Sequence, residues 1–248
     1  MRKLSPLKAI AHALNSAVTY KHVAFRIGML WVPVLFLMGL VEIYVGPPNP
    51  EATELTAPVL VQFVTGLVTI IAVCSIAVSW HRFILRDEVG PVMRLDNHVL
   101  RYAGNTLLIM LMVLAPALLL VFAIAVNPAL GSFLAIPFVL AFGGVVTSLS
   151  IKLPAVALGR TDFTFRDAWK AREGNFWQVL GVFLLSAAIF FGVVLALIMV
   201  TSLIAKVSPA AAQFVGVIAS AVLQLFYTVF NASIFTSLYG FFVERRDF

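Results

Sequence analysis

The densest group of chemically reactive side chains lies in the segment from Ser79 to Asn105, SWHRFILRDEVGPVMRLDNHVLRYAGN. One imidazole, two guanidinium groups and two carboxylates follow closely there: His81, Arg82, Arg86, Asp87 and Glu88. If the preceding helix continues, Arg82 and Arg86 share a face, and two guanidinium groups so placed can clamp one phosphate. The same side chains can instead form an intersubunit contact or a salt-bridged helix end. The segment therefore predicts charge pairing or anion binding at a membrane boundary rather than a catalytic centre.

Recognisable catalytic and metal-binding motifs are absent from the sequence. The four histidines, His12, His22, His81 and His98, do not pair with Asp, Glu or Cys at a known metal-ligand spacing. The chain has no HExxH, CxxC, Walker or GxSxG element, and hydrolysis needs an activated nucleophile or a bound water. Its single cysteine, Cys74, lies in an apolar run and cannot form a disulfide within the chain. We therefore predict a protein that is not an enzyme and holds no metal or cofactor.

A second charged interruption runs from Lys152 to Asn175, KLPAVALGRTDFTFRDAWKAREGN. Thr164 and Asp167 match an Asp-containing capping box, so a short interfacial helix is expected to begin after Thr164 and to stop at Gly174. This helix would hold Trp169 at headgroup depth. The candidate contacts to an anionic lipid headgroup or a protein partner are His81, Arg82, Arg86, Arg94, Arg101, Lys152, Arg160 and Trp169. The alternative is that the charged residues act only as determinants of topology.

The composition defines the class of protein. Of the 248 residues, 62% are hydrophobic and only 11% are charged, and the mean hydropathy is +1.04. Soluble domains carry about 25% charged residues. We therefore predict an all-α polytopic membrane protein, since roughly 20 apolar residues in a helix cross a bilayer. The expected spans are 27–45, 58–80, 106–126, 133–151, 176–205 and 212–242.

The residues before the first span are expected to form an amphipathic helix over 5–24. Ser5 and Pro6 provide an N-cap followed by proline in the first turn. Polar and apolar side chains then alternate with helical spacing. Such a helix can lie in the membrane interface with its basic face on anionic headgroups, or it can dock on the protein's own loops. The sequence leaves both alternatives open.

The distribution of lysine and arginine predicts the orientation. Of 17 such residues only Lys206 falls in a short turn, and the others lie in the N-terminal segment, the two charged interruptions and the C-terminal tail. By the positive-inside rule both termini and both long loops are cytoplasmic. The net charge of +6 then predicts no nucleic-acid partner, because topology and anionic lipid account for it.

Similar segments predict that the chain is divided into parallel repeats. Gly104-Asn105 and Gly174-Asn175 each end a charged segment and open a long span. We predict one membrane domain over 1–248, with pseudo-repeats 1–80, 81–151 and 152–248. Each repeat would be an interfacial helix followed by a hairpin of spans. Because each hairpin returns to its starting side, the repeats would share one orientation about an axis along the membrane normal.

Few strongly polar residues lie inside the expected spans. Glu42 lies near the outer end of the first span, where a carboxylate is either a solvated interfacial group or part of an ion or proton site. Gln224, Tyr227 and Asn231 lie in the last span, whose polar face is expected to point into the bundle. Together these four residues would line a polar pathway if the bundle contains a water-filled cavity.

Three segments carry a family resemblance: WHRFILRDE, LPAVALGR and DAWKAREGN. They resemble segments of a bacterial family of six-span inner-membrane proteins, the YciC-like group. The layout is also similar to the membrane domain attached to some glycerophosphodiester phosphodiesterases. The resemblance implies a compact helical bundle in a bacterial inner membrane without a known catalytic set. It transfers no functional residue, because the soluble phosphodiesterase domain has no counterpart in this chain.

Two classes of function follow from these patterns. The first is a non-enzymatic accessory, assembly or scaffold subunit that binds membrane lipids and other integral membrane proteins. The alternative is a transporter or channel for a small or amphiphilic solute, indicated by the repeats and by prolines within spans, Pro33, Pro116 and Pro137. Ion pathways usually contain deep ionisable residues, and only Glu42 comes close. The sequence therefore favours the first class.

Overall fold

A computed structural model describes residues 2–49 and 56–247. These residues form ten α-helices and no strand: α1 Pro6–Thr19, α2 Lys21–Gly28, α3 Trp31–Val45, α4 Ala57–Arg86, α5 Asn97–Val126, α6 Pro128–Ser150, α7 Lys152–Ala157, α8 Phe165–Ala171, α9 Phe176–Ala205 and α10 Pro209–Phe242. The all-α prediction is confirmed for this part of the chain. Residues 50–55 of the predicted loop between the first two spans lie outside the described residues.

Five helices are long and apolar enough to cross a membrane: α4, α5, α6 with α7, α9 and α10. Helix α3 has 15 residues, which rise by roughly 22 Å, less than a hydrocarbon core of about 30 Å. Helices α2 and α3 form a sixth candidate only if they are counted as one broken span, since they meet at a bend of 52°. The predicted continuous span over 27–45 is therefore wrong at its beginning. The chain is a multi-pass membrane protein by length and composition.

Several helices differ from their predicted bounds. The expected helix over 5–24 is broken at Tyr20 into α1 and α2. Helix α4 continues to Arg86, where Asp87 adopts a left-handed conformation with φ of 53° and ends it. Helix α5 begins at Asn97 because the Asp96 carboxylate accepts hydrogen bonds from the backbone N–H groups of the first turn. In the second repeat, the end of the predicted interfacial segment forms the first turns of α5 and is not a separate helix.

The helices bring the long charged segments to one end of the bundle, here called the basic end. Helices α4, α7 and α10 end there, α5 and α9 begin there, and α1, α2 and α8 lie beside them. The opposite end, here called the turn end, holds the short connections at Asn127 and at Lys206. The predicted capping box of α8, formed by Thr164 and Asp167, is confirmed.

The tightly packed core lies at the basic end. The largest fully buried side chains belong to this half of the bundle and include Trp80, Ile151, Phe230, Leu238 and Tyr239. Toward the turn end α5 and α6 expose large apolar side chains, for example Leu119 and Phe133. Such a surface suits contact with lipid tails. The bundle is therefore a packed protein core at one end and a set of apolar, outward-facing helices at the other.

Helix α1 packs on the bundle through small residues. Ala9, Ile10, Ala13 and Ala17 are buried, and α1 contacts α9 and α10. His12 Nδ1 lies 2.9 Å from the hydroxyl oxygen of Ser237 in α10. These contacts favour docking on the protein over insertion of this face into lipid, although the partners are helices rather than the predicted loops.

Candidate functional site

The charged residues that follow α4 form a closed network centred on Glu88. Its Oε2 atom accepts hydrogen bonds from Arg82 Nη2 at 2.5 Å and Nε at 2.9 Å. Its Oε1 atom accepts one from Arg94 Nη2 at 2.7 Å. The hydrogen bonds from Arg82, and then those from Arg94, lower the pKa of the Glu88 carboxyl to about 2, although desolvation opposes the shift. Glu88 is therefore a carboxylate held between two guanidinium groups.

The same network fastens the loop between α4 and α5. Arg94 also donates to Asp96 Oδ2 at 3.0 Å, and its backbone N–H donates to the Ser75 hydroxyl at 3.2 Å. Arg82 Nη1 donates to the carbonyl of Ala157 at 3.0 Å, which joins α4 to α7. The side chain of Arg94 is only 6% exposed. Its predicted role as an outside contact to lipid or partner is therefore wrong, since the side chain is buried and both Nη atoms donate inside the protein.

Arg82 and Arg86 do not form a joint phosphate clamp in this structure. The guanidinium of Arg82 is bound to Glu88 and Ala157, whereas Arg86 is exposed at the last position of α4. Of the arrangements considered from the sequence, this geometry corresponds to the salt-bridged helix end.

His81 lies in a buried polar contact between three helices. It is 0% exposed, with Nδ1 2.8 Å from Thr236 Oγ1 and Nε2 3.2 Å from the Tyr102 hydroxyl. Because Thr236 donates its own proton to the Ala232 carbonyl, it must accept from Nδ1–H, and Nε2 then accepts from Tyr102. A neutral histidine satisfies this arrangement. The prediction that His81 contacts lipid or a partner is wrong, because burial among α4, α5 and α10 removes it from the surface.

Three other predicted cations converge on one cavity at the basic end, here called the basic pocket. Its volume is about 200 Å³, and its lining consists of Arg101, Asn105, Lys152, Val156, Gly159, Arg160, Thr161 and Phe163. No carboxylate of the described residues belongs to this lining. Arg101 comes from the first turns of α5, Lys152 begins α7, and Arg160 follows α7. The fold thus joins cations that are far apart in the sequence.

The cations of the basic pocket differ in how firmly they are held. Arg160 donates to Asp162 Oδ2 at 2.7 Å and to the Tyr239 hydroxyl at 2.8 Å. These hydrogen bonds, the one to Asp162 first, raise the pKa of the Arg160 guanidinium. The Lys152 ammonium lies 4.0 Å from the centre of the Phe165 ring. Arg101 is exposed and has no ion pair within the described residues. The pocket is therefore cationic.

Trp169 lies on α8 beside the basic pocket rather than in it. It is 42% exposed, and the Arg172 guanidinium carbon lies 3.6 Å from the centre of its ring. Trp177, at the beginning of α9, is 76% exposed at the same end of the bundle. Amphipathic aromatic rings of this kind are typical of the membrane–water interface.

A larger cavity opens between α3, α4 and α10 toward the turn end, and we call it the polar groove. Its volume is about 520 Å³, and its polar lining side chains are Glu42, Gln62, Thr65, Thr69, Gln213, Ser220 and Gln224. Leu35, Val61 and Val217 contribute apolar wall. Sequence reasoning included Glu42 and Gln224 in a pathway but omitted the others. Their signal was the helical spacing of Gln62, Thr65 and Thr69 along one face.

The predicted polar pathway is divided by the fold. Glu42 and Gln224 line the polar groove, but Tyr227 and Asn231 do not. The Tyr227 ring packs on Phe190 of α9 with centroids 4.2 Å apart, and Asn231 donates to the carbonyl of Tyr227 at 2.9 Å. The prediction that these four residues line one pathway is therefore wrong.

Comparison with known proteins adds no further assignment. No family model, curated protein or solved structure matches the chain. Within the described residues, no group of three or more His, Cys, Asp or Glu side chains is placed to hold a metal ion. The basic pocket and the polar groove are accordingly interpreted from their own geometry.

Proposed function

We propose that this chain is a non-enzymatic accessory, assembly or scaffold subunit of a bacterial inner membrane, which binds anionic lipid and other membrane proteins. The observation that carries the proposal is the basic pocket. Arg101, Lys152 and Arg160 surround a cavity of about 200 Å³, which no carboxylate of the structurally described chain lines. Guanidinium and ammonium groups in such an arrangement complement a phosphate.

The proposed orientation supports lipid as the source of that phosphate. All Lys and Arg residues except Lys206 lie toward the basic end, so the positive-inside rule makes this end cytoplasmic. The cytoplasmic leaflet carries anionic lipid, which attracts cations near the surface. The exposed rings of Trp169 and Trp177 fit a position at the headgroups. In this arrangement α1 and α8 lie near the interface, and the basic pocket faces lipid phosphates.

The Glu88 network would hold in place the helices that carry the cations of the basic pocket. Arg82 joins α4 to α7 through the Ala157 carbonyl, directly before the turn that contains Gly159 and Arg160. Asp96, which is paired with Arg94, caps the helix that carries Arg101. Internal ion pairs thus hold the helices that supply the cations of the pocket. Six spans, three repeats and membership of the YciC-like group remain predictions that agree with this proposal.

The test measures retained lipid and protein after purification. A tagged protein is extracted from native membranes in mild detergent, and its lipids and proteins are identified by mass spectrometry. We expect an anionic phospholipid to be retained by the native chain and lost from the double variant Arg101→Gln, Lys152→Gln. These positions are chosen because neither side chain has an ion pair within the described residues, whereas Arg160 also holds Tyr239. Arg166→Gln, an exposed cation on α8, is the matched control.

Two further results decide between lipid, free phosphate and protein. If inorganic phosphate displaces the bound lipid as well as phosphatidylglycerol does, the site recognises phosphate alone. A stoichiometric protein partner would identify the system that the subunit serves. Recovery of the chain with neither an anionic lipid nor a protein partner would contradict the proposal.

The second candidate function is a transporter or channel, and the polar groove favours it. The groove provides polar groups between spans, but Trp80, Phe230 and Leu238 are fully buried between it and the basic end. Transport would therefore need a rearrangement of the basic end. Gln224→Cys provides a test, since the native thiol, Cys74, is buried. Labelling by an impermeant thiol reagent from both sides of the membrane supports transport, whereas labelling from one side only contradicts it.

A further inference from the structure

Three hydroxyl groups of α10 at the basic end and three in the polar groove differ in their hydrogen bonds. At the basic end, Ser233, Thr236 and Ser237 of α10 each donate to the carbonyl four residues earlier, at 2.8 to 2.9 Å. In the polar groove, Thr65, Thr69 and Ser220 make no side-chain hydrogen bond within the described residues. The Thr65 hydroxyl oxygen is buried as well as unpaired. Ser79 and Trp80 at the basic end also have a buried atom without a partner in the described residues, but Thr65 differs because it lines an open cavity that a molecule from outside the chain can enter.

The charge of the groove indicates the sign of that partner. Among the described residues, Glu42 is the single ionisable residue of its lining, which contains no Lys, Arg or His. Glu42 makes no side-chain hydrogen bond or ion pair within the described residues. A carboxylate between spans is costly unless a cation or a set of donors meets it. The complementary ligand carries one positive charge and N–H donors.

Three helices bring polar groups to one level near the mouth of the groove. Glu42 lies about one turn before the end of α3, while Gln62 and Gln213 lie in the second turn of α4 and of α10, so all three are roughly 4 to 8 Å below the helix ends. Below this level the apolar side chains of Leu35 and Val217 line the wall. At the bottom Gln224 is within 3.5 Å of Thr228, a contact inside the protein.

We infer that the polar groove binds an amphiphilic monocation, whose primary ammonium group meets Glu42, Gln62 and Gln213 and whose hydrocarbon body lies along Leu35 and Val217. The ammonium provides three N–H donors, one for the carboxylate and two for the amide oxygens. Hydrocarbon along the apolar wall removes that wall from water. The inference goes beyond the proposed lipid site, because it concerns the opposite end of the molecule and the opposite charge.

The test uses dodecylammonium as the probe. Radiolabelled dodecylammonium is titrated onto the full-length chain in phosphatidylcholine nanodiscs, and partitioning into empty nanodiscs is subtracted. We expect saturable binding near one molecule per chain. Unlabelled dodecylammonium should compete, whereas dodecanol, which has the same chain without the charge, should not. Glu42→Gln should weaken binding by about tenfold, the typical effect of losing a charge-assisted hydrogen bond.

Control variants distinguish loss of the proposed cation site from misfolding and from effects at the basic pocket. Glu173→Gln makes the same charge change at the basic end, where Glu173 is exposed, and should bind the probe as the native chain does. Ser220→Leu narrows the groove without removing a hydrogen bond and should also weaken binding. Equal competition by dodecanol would overturn the inference without any variant, as would unchanged affinity in Glu42→Gln. Loss of anionic lipid binding in the basic-pocket variants would leave these results unaffected.

Discussion

The Glu88 network at the basic end and the polar groove near the turn end differ in how their polar side chains are paired. At the basic end, Glu88 lies between Arg82 and Arg94, and His81 is bonded on both ring nitrogens. In the polar groove near the turn end, Glu42 and Thr65 face a cavity and have no side-chain partner among the residues that the structure describes. Charge density alone therefore does not identify a site. Ion pairs such as those of Glu88 hold the helices of the basic end together, although within the described residues Ser79 Oγ and Trp80 Nε1 are buried there without a partner. The polar groove differs because its polar groups line an open cavity.

The largest expected effect comes from removing an aromatic ring at each end. Phe230→Ala empties a position that is 1% exposed at the basic end, whereas Phe133→Ala changes one that is 74% exposed toward the turn end. We expect Phe230→Ala to lower the free energy of unfolding by about 3 to 5 kcal/mol. Phe133→Ala should change it by about 0.5 kcal/mol or less. Equilibrium unfolding by sodium dodecyl sulfate in mixed micelles measures both changes in free energy. Equal losses for the two variants would contradict the finding that the packed core lies at the basic end.

A second pair of variants compares a bonded hydroxyl with an unbonded one. Thr236→Val removes the acceptor of His81 Nδ1 in a fully buried position, so we expect a loss of about 1 to 3 kcal/mol. Thr69→Val removes a hydroxyl that has no side-chain partner within the described residues. Its effect on the free energy of unfolding should be near zero or slightly stabilising. The same unfolding measurement checks both variants, and a larger loss for Thr69→Val would remove the distinction between the two ends.

A dependence of stability on acid pH should be the smallest effect, because the Glu88 side chain is 37% exposed and solvent screens its ion pairs. Hydrogen bonds from Arg82 lower the pKa of Glu88 from 4.5 to about 2. A lowered pKa in the folded state stabilises the fold above pH 4.5, and this contribution is lost as the pH falls toward 2. Glu88→Gln should therefore flatten the stability profile between these values. Glu173→Gln provides the control, and identical profiles for the native chain and Glu88→Gln would show that the ion pairs contribute nothing.

Much of the helical architecture could be predicted from the sequence, because apolar runs of sufficient length leave few other structures. The helix over 176–205 has the bounds expected from the sequence. Hydropathy misplaced the boundary of α4, since the polar residues after Trp80 continue the helix until Asp87 ends it. It also missed the bend between α2 and α3, where Gly28 lies against Leu225 of α10 and leaves no room for a side chain.

The sites were harder to predict than the helices. Helical spacing shows which residues share a face, but it does not say which neighbouring helix that face meets. Tyr227 and Glu42 were therefore joined in one pathway, although Tyr227 packs on α9 and Glu42 faces α4 and α10. Arg101, Lys152 and Arg160 were recognised one by one as candidate contacts, but their convergence depends on how α5 and α7 pack together. Such long-range contacts have no local signal in a single sequence.

The short helix α3 has a mechanical consequence for the surrounding bilayer. Its roughly 22 Å rise beside α4, whose 30 residues rise by roughly 45 Å, creates a mismatch on one flank of the molecule. Lipids respond to a short apolar segment by thinning locally, at a cost that grows with each ångström of mismatch. We therefore expect the bilayer to be thinner beside α3 than beside the longer helices. Copies of the protein would then be favoured where the membrane is already thin.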